Sequence, residues 1–292
     1  MSFKIVPGLS SFAENYDAYI LDLWGVVHNG VRPYPGALEC MAKLRESGKP
    51  LLLLSNAPRT NGFVREFLKG IGVPEDAYDQ ILTSGDMTRL VLSEKRFPFL
   101  EGKGLKFYQF GAEKDKGLDD GLDYIKTKDL AAADFLICTG LAKDEVETPE
   151  DYRDLLTEAA SYKLPMLCAN PDLTVMKGDN IQYCAGALAK LYEEELGGTV
   201  ELFGKPYPWA YKMSMEKLGV SDPSKILAVG DSMRTDIKGA SGMGIDNVLV
   251  SGGIHAEEWE LNPGDHPSDA QVQEITEDYG FAPTYVVGHM IW

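Results

Sequence analysis

Tyr19-Ile-Leu-Asp22-Leu-Trp24-Gly25-Val-Val-His28-Asn-Gly30 is the stretch that decides the fold. An apolar run meets a single carboxylate, and a glycine turn follows at once. That pattern predicts a short strand, Tyr19–Leu23, with Asp22 at its carboxyl end. A matching unit stands near the other end of the chain. Lys225–Val229 reads as a strand, and Gly230-Asp231-Ser-Met-Arg-Thr235-Asp236 closes it with two carboxylates. Between the two lie Leu51–Leu54, a continuous apolar run that leads into Ser55-Asn56, and the loop Gly204-Lys205-Pro206.

Working outward, Pro35-Gly36 opens an amphipathic helix through Leu38, Met41 and Leu44, and Gly48 closes it. Thr60 can cap a helix carrying Phe63, Phe67 and Leu68, ended by Gly70 and Gly72. Ile81–Leu82 is a further strand. Pro208–Leu218 and Thr235–Ser241 read as helices, and Asn247–Val250 as a strand. The middle of the chain has its own series. Its strand candidates are Leu105–Phe110, Phe135–Cys138, Met166–Ala169 and Val200–Phe203, and its helices Tyr152–Tyr162 and Gln182–Leu196. The tail holds a helix near Asp269–Tyr279 and an apolar end from Val286 to Trp292, expected as an edge element. Strands alternating with helices imply a parallel sheet with right-handed crossovers. The expected fold class is α/β: a Rossmann-like parallel-sheet core, residues 1–84 and 200–292, with an α/β cap inserted over residues 85–199.

The chain has 292 residues, enough for one full α/β domain and a smaller second one. Its longest apolar runs are far too short to span a bilayer. The opening Met-Ser-Phe-Lys leads to no apolar signal segment, and the four cysteines (Cys40, Cys138, Cys168, Cys184) show no Cys-x-x-Cys spacing. Buried free thiols and a cytoplasmic setting are expected. A formal net charge of −17 argues against nucleic acid and other polyanions as partners. A small phosphorylated metabolite needs only local positive charge, from a metal, a lysine or a helix N-terminus.

In open parallel sheets ligands bind beyond the carboxyl ends of the strands. One aspartate there would simply cap a turn; several coordinated strand ends say more. Asp22 and Asp231 repel each other unless a cation lies between them. Mg²⁺ prefers few carboxylates together with waters and phosphate oxygens. Asp236 would orient the lysine or a water. The Ser55 hydroxyl can bind a phosphate oxygen, with Asn56 and Arg59 as helpers, and Lys205 is a compact charge for phosphate and nucleophile. The set reads as Mg²⁺-assisted phosphoryl transfer.

Asp22, Ser55, Lys205 and the Asp231/Asp236 pair also resemble, in order, the four motifs of the haloacid dehalogenase superfamily. The finer pattern is similar to its NagD-like and 4-nitrophenylphosphatase-like group. The residues that carry it are Pro35-Gly36-Ala37, Ser55-Asn56, Thr83-Ser84-Gly85, Asn170-Pro171-Asp172 and Gly204-Lys205-Pro206. That resemblance implies a Rossmann-like core, an aspartyl-phosphate on Asp22, Mg²⁺ and a homodimer. It also puts Asn170 and Asp172 in a cap loop facing the substrate.

Trp24 departs from the pattern. Phosphatases of the superfamily carry an aspartate there, which protonates the leaving group and then activates water. Trp24 can offer only its backbone carbonyl, to the metal. General acid–base catalysis is worth ~10²–10⁴-fold. The chain is therefore expected to be a slow phosphatase, one restricted to easy leaving groups, or one with a relocated proton donor. His28, with an ordinary pKa of about 6.5, is the nearest titratable candidate; its other role is a flap histidine bonded to backbone. An aromatic at this position also resembles the dehalogenases proper, which attack carbon and need no metal. A third alternative is a non-catalytic protein that binds phosphate.

Overall fold

The computed structural model describes residues 3–112, 115–177, 180–262 and 265–292. In chain order its first strands are β1 (Lys4–Ile5), β2 (Ala18–Leu21), β3 (Leu51–Ser55) and β4 (Gln80–Thr83). The middle contributes β5 (Leu105–Phe110), β6 (Tyr124–Thr127), β7 (Phe135–Cys138), β8 (Met166–Cys168), β9 (Thr174–Lys177), β10 (Asn180–Tyr183) and β11 (Val200–Leu202). The last are β12 (Ile226–Gly230), β13 (Asp246–Val250) and β14 (Tyr285–Val287). The helices are α1 (Ala37–Glu46), α2 (Asn61–Gly70), α3 (Ser84–Glu94), α4 (Arg153–Ser161), α5 (Ala185–Lys190), α6 (Pro208–Leu218), α7 (Lys238–Gly242) and α8 (Asp269–Tyr279).

A seven-stranded sheet runs β1-β14-β13-β12-β2-β3-β4, and every pairing in it is parallel. Its central strands β2, β3 and β12 are buried along their whole length, because helices cover both faces. Alternate residues serve the two sides. Tyr19, Leu21, Leu51, Leu53, Leu227 and Val229 pack with Met41 and Leu44 of α1 and Leu68 of α2. Ile20, Leu52, Leu54, Ile226 and Ala228 pack with Ala210 and Tyr211 of α6. In α1, Ala37, Cys40, Met41 and Leu44 are buried, the stripe expected of an amphipathic helix. From β2 the chain steps outward to β3 and β4, and from β12 in the opposite direction. The crevice between β2 and β12 is thus a topological switch point, where open sheets bind ligands.

A five-stranded parallel sheet, β11-β8-β7-β5-β6, comes from the middle of the chain. Leu136, Cys138 and Met166 pack against Leu156 of α4 and Leu188 of α5. A separate antiparallel ribbon joins β9 and β10.

Four expectations change. Val200–Leu202 pairs with β8 and so joins the smaller sheet rather than the core. The helix expected from Gln182 starts only at Ala185, because Asn180–Tyr183 pairs with Thr174–Lys177. It then widens into a π-helical turn over Leu191–Glu195. The apolar end of the chain is not an edge: β14 lies between β13 and β1. Finally, β1, α3, β6 and β9 are elements that the sequence pattern does not announce. All four cysteines are free and buried, and among the described residues no helix is long and apolar enough to cross a membrane.

Candidate active site

A cleft of about 910 Å³ opens over the carboxyl ends of β2, β3 and β12. Asp22, Trp24, Ser55 and Asp231 line it from the larger sheet; Thr139, Asp172, Val175 and Tyr183 line it from the middle of the chain. The residue after β2 is Asp22, and the residue after β12 is Asp231. Both are buried, with Asp236 beside them. Each of the three carboxylates offers an oxygen within 4.8 Å of the others.

Lys205 supplies the positive charge. Its Nζ lies 2.6 Å from Asp22 Oδ1 and 2.7 Å from Asp236 Oδ1. Burial works against the ammonium, but the Asp22 and Asp236 charges outweigh it and hold its pKa well above the usual lysine value. Burial pushes Asp22 upward, with Lys205 opposing it. Asp231 is also raised, by burial and then by the charges of Asp22 and Asp236.

Asp231 sits in a mould. The Ile254 N–H donates to its Oδ2 at 2.8 Å. A Cβ on Gly25 would lie 1.7 Å from that oxygen, and one on Gly253 would lie 2.3 Å from it. Gly25 also has a φ of +74°, which side chains rarely adopt.

The site's donors fit Mg²⁺. They are all oxygens, as a hard cation requires. With all three carboxylates ionised, one ammonium would leave a net charge of −2 among these buried side chains, which a divalent cation balances. Asp22 and Asp231, with the Trp24 carbonyl, are the residues that could hold it, since both oxygens of Asp236 have partners: Oδ1 in Lys205 and Oδ2 in Ser232 N and Thr235 Oγ1.

Ser55 ends β3, and its Oγ accepts the Ala57 N–H at 3.2 Å, which leaves the hydroxyl proton for a ligand oxygen. Asn56 differs from its expected role as a substrate ligand. Its Oδ1 accepts from Lys205 N at 2.7 Å and from Ser84 Oγ at 3.3 Å. Its Nδ2 donates to Lys205 O at 3.1 Å and to Asp172 Oδ1 at 2.9 Å. The amide is saturated, so Asn56 is a strut that fixes the Lys205 backbone. Arg59 reaches across to buried Asp115, Nε to Oδ1 at 2.7 Å, with its guanidinium over Phe63. Asn170 uses Oδ1 to accept from Asp172 N at 2.9 Å and so shapes its own loop.

His28 does not reach the site as an acid. It has no exposed surface, and its ring meets Trp24 and Phe67 edge-on. Nδ1 accepts from Gly30 N at 3.0 Å, and Nε2 has no partner. Burial drives its pKa down to about 4. It is therefore the flap histidine, neutral and bonded to backbone. Trp24 packs over Gly30, where a Cβ would lie 2.4 Å from the indole.

Sequence reasoning missed Asp115, Arg234 and the Gly253-Ile254 turn. Arg234 stood in plain view between Asp231 and Asp236; its Nη2 lies 3.7 Å from Asp172 Oδ1 and 3.4 Å from Pro171 O. Nothing in the sequence marked Asp115 or the glycine turn.

Known proteins resemble this chain in sequence and fold. The haloacid dehalogenase-like hydrolase profile matches residues 19–121, and a HAD-hydrolase-like profile matches residues 202–287. An acid sugar phosphatase of Staphylococcus epidermidis is 27% identical over 277 residues, 92% of this chain and 95% of that protein. A 4-nitrophenylphosphatase from Thermotoga maritima shares the fold, with a TM-score of 0.68 at 22% identity, over 95% of each chain. So does a glycerol phosphate phosphatase from Mycobacterium tuberculosis, solved with magnesium, with a TM-score of 0.69 at 20% identity, over 95% of this chain and 76% of that one. A hydrolase of the haloacid dehalogenase-like family from Brucella suis superposes with a TM-score of 0.82 at 37% identity, covering 98% of this chain and 100% of its own. With that identity sustained along nearly its whole length, the chain belongs to the haloacid dehalogenase-like hydrolase family.

Proposed function

We propose that the chain is a Mg²⁺-dependent hydrolase of small phosphate esters that works through an aspartyl-phosphate on Asp22. The observation that carries this reading is Lys205 bridging Asp22 and Asp236 beside Asp231, at the switch point of the sheet. The phosphatase names of the relatives favour sugar or aryl phosphates as substrates.

Asp22 attacks phosphorus, and Lys205 holds its carboxylate in place. The Ser55 hydroxyl and the Lys205 ammonium meet the phosphoryl oxygens as charge builds on them. Held by Asp22, Asp231 and the Trp24 carbonyl, Mg²⁺ would offset the negative charge of the phosphoryl group. The segment 85–199, with β11 added by its pairing, acts as the cap that excludes water. A homodimer in the cytoplasm is part of the same reading.

A panel of phosphorylated metabolites incubated with Mg²⁺, beside 2-chloropropionate, tests it. Phosphate release that stops in EDTA and in Asp22→Asn is the expected result. Trp24 favours one other reading, the dehalogenase. Halide release from 2-chloropropionate with full activity in EDTA would replace the phosphatase with it.

A further inference from the structure

Breaking an ester P–O bond leaves an oxygen that has to take up a proton when its alcohol is a poor leaving group. The two candidates in the stretch after Asp22 do not perform that task. Trp24, two residues after Asp22, has no acidic proton to give, and His28 is enclosed and neutral. The opposite wall of the cleft offers carboxylates.

Asp115, Asp144 and Asp172 are carboxylates on that wall. Asp115 is engaged by Arg59. Asp172 is placed differently. Its Oδ1 takes a hydrogen from Asn56, the amide that also clamps both backbone groups of Lys205. The Lys205 ammonium in turn touches Asp22. Asp172 is therefore held in register with the nucleophile through one side chain and one residue. Its own side chain is 26% exposed and lines the cleft. Among the described residues no hydrogen bond is made to its Oδ2. Arg234 forms an ion pair with Oδ1, at 3.7 Å, too long for a hydrogen bond.

We propose that Asp172, reaching in from the cap, is the proton donor to the leaving group and then the base for the second half-reaction. The inference rests on the phosphatase reading. In the first step an Asp22 oxygen forms a bond to phosphorus and the ester P–O bond breaks. The departing oxygen takes the Asp172 proton, and the alcohol leaves. In the second step water attacks the aspartyl-phosphate, the Asp22–phosphorus bond breaks, and the water's proton returns to Asp172. Burial favours the protonated acid at the start, raising Asp172 above the usual carboxyl range against the opposing pull of Lys205, Asn56 and Arg234. Asp236 adds to the rise, and the Cys184 thiol also lies nearby.

Asp172→Asn separates this role from a purely structural one. The amide oxygen still accepts from Asn56, so the clamp survives while the proton is lost. The experiment compares wild type and variant on 2,4-dinitrophenyl, 4-nitrophenyl, phenyl and glycerol phosphates with Mg²⁺. In the variant, kcat/KM for glycerol phosphate should fall by ~10²–10⁴-fold, with a far smaller loss on dinitrophenyl phosphate, which departs unprotonated. The dependence on leaving-group pKa should be shallow in wild type and steep in the variant. Adding Trp24→Asp to Asp172→Asn should restore part of the glycerol phosphate rate. An equal loss on all four esters, or no loss on glycerol phosphate, overturns the assignment and leaves the phosphatase standing. No phosphate release from any ester by wild type overturns both.

Discussion

Gly25 shows how little room the site has. Its φ is +74°, and a Cβ would lie 1.7 Å from Asp231 Oδ2. Gly25→Ala should therefore cost more than about 1 kcal/mol of stability, through an incompatible backbone alone. It should also displace the carboxylate, so that Mg²⁺ no longer raises the melting temperature; calorimetry with and without Mg²⁺ reads both effects. His28 gives a pH signature instead. Its folded pKa, about 4, lies below the unfolded value of 6.5, so the unfolded state binds more protons between those pH values. Stability contributed by the neutral ring is whole above pH 6.5 and falls as the pH drops towards 4, by up to about 3 kcal/mol. In His28→Asn, whose side-chain oxygen can still accept from Gly30 N, the acid limb of a stability–pH curve should be shallower by that amount. An identical limb in both proteins would refute the assignment. The sequence displayed His28 and Trp24 but not their packing. A titratable ring six residues past a strand end looks available until Phe67, from α2, is known to close over it.

At the scale of elements, the site is tied together by side chains that link segments distant in sequence. Arg59, in the loop after β3, meets Asp115, beyond β5. Asp115 is 5% exposed, so Arg59→Ala would leave a carboxylate buried without its partner. That variant should lose roughly 1–3 kcal/mol, and Arg59→Ala/Asp115→Ala should lose less than the two single changes summed. A chemical-denaturation cycle measures the coupling, and strict additivity would mean the pair contributes nothing. The core elements were legible because each carries its own signal. Leu51–Leu54 is apolar throughout, and Pro208 and Gly219 bracket α6. The β9–β10 ribbon was not legible. Gln182 and Tyr183 fit the start of a helical pattern as well as a strand, and only their pairing with Val175 and Thr174 settles the matter. The start of α3 was missed because Thr83-Ser84-Gly85 reads as a turn. The capping box between Thr83 and Asp86 makes it a helix N-terminus.

For the whole molecule, metal and fold should be coupled. A cation that binds the native carboxylates and not the unfolded chain stabilises by mass action, about 2.7 kcal/mol at a hundredfold excess over Kd. Mg²⁺ should raise the melting temperature of wild type and not that of Asp231→Asn; an equal rise in both would place the ion elsewhere. The architecture was readable because Asp22, Ser55 and Asp231 each close an apolar strand. What the sequence hid was adjacency. The larger sheet places β2 beside β12 and β1 beside β14, so strands far apart in sequence complete one sheet. During synthesis this order has a consequence. The smaller sheet, ending at Leu202, has all its strands before Ile226 leaves the ribosome. Until then β2 waits with one flank unpaired, an apolar edge of the kind that templates misassociation. Nascent chains stalled just short of β12 should need a chaperone to stay dispersed, and chains extended past β14 should not.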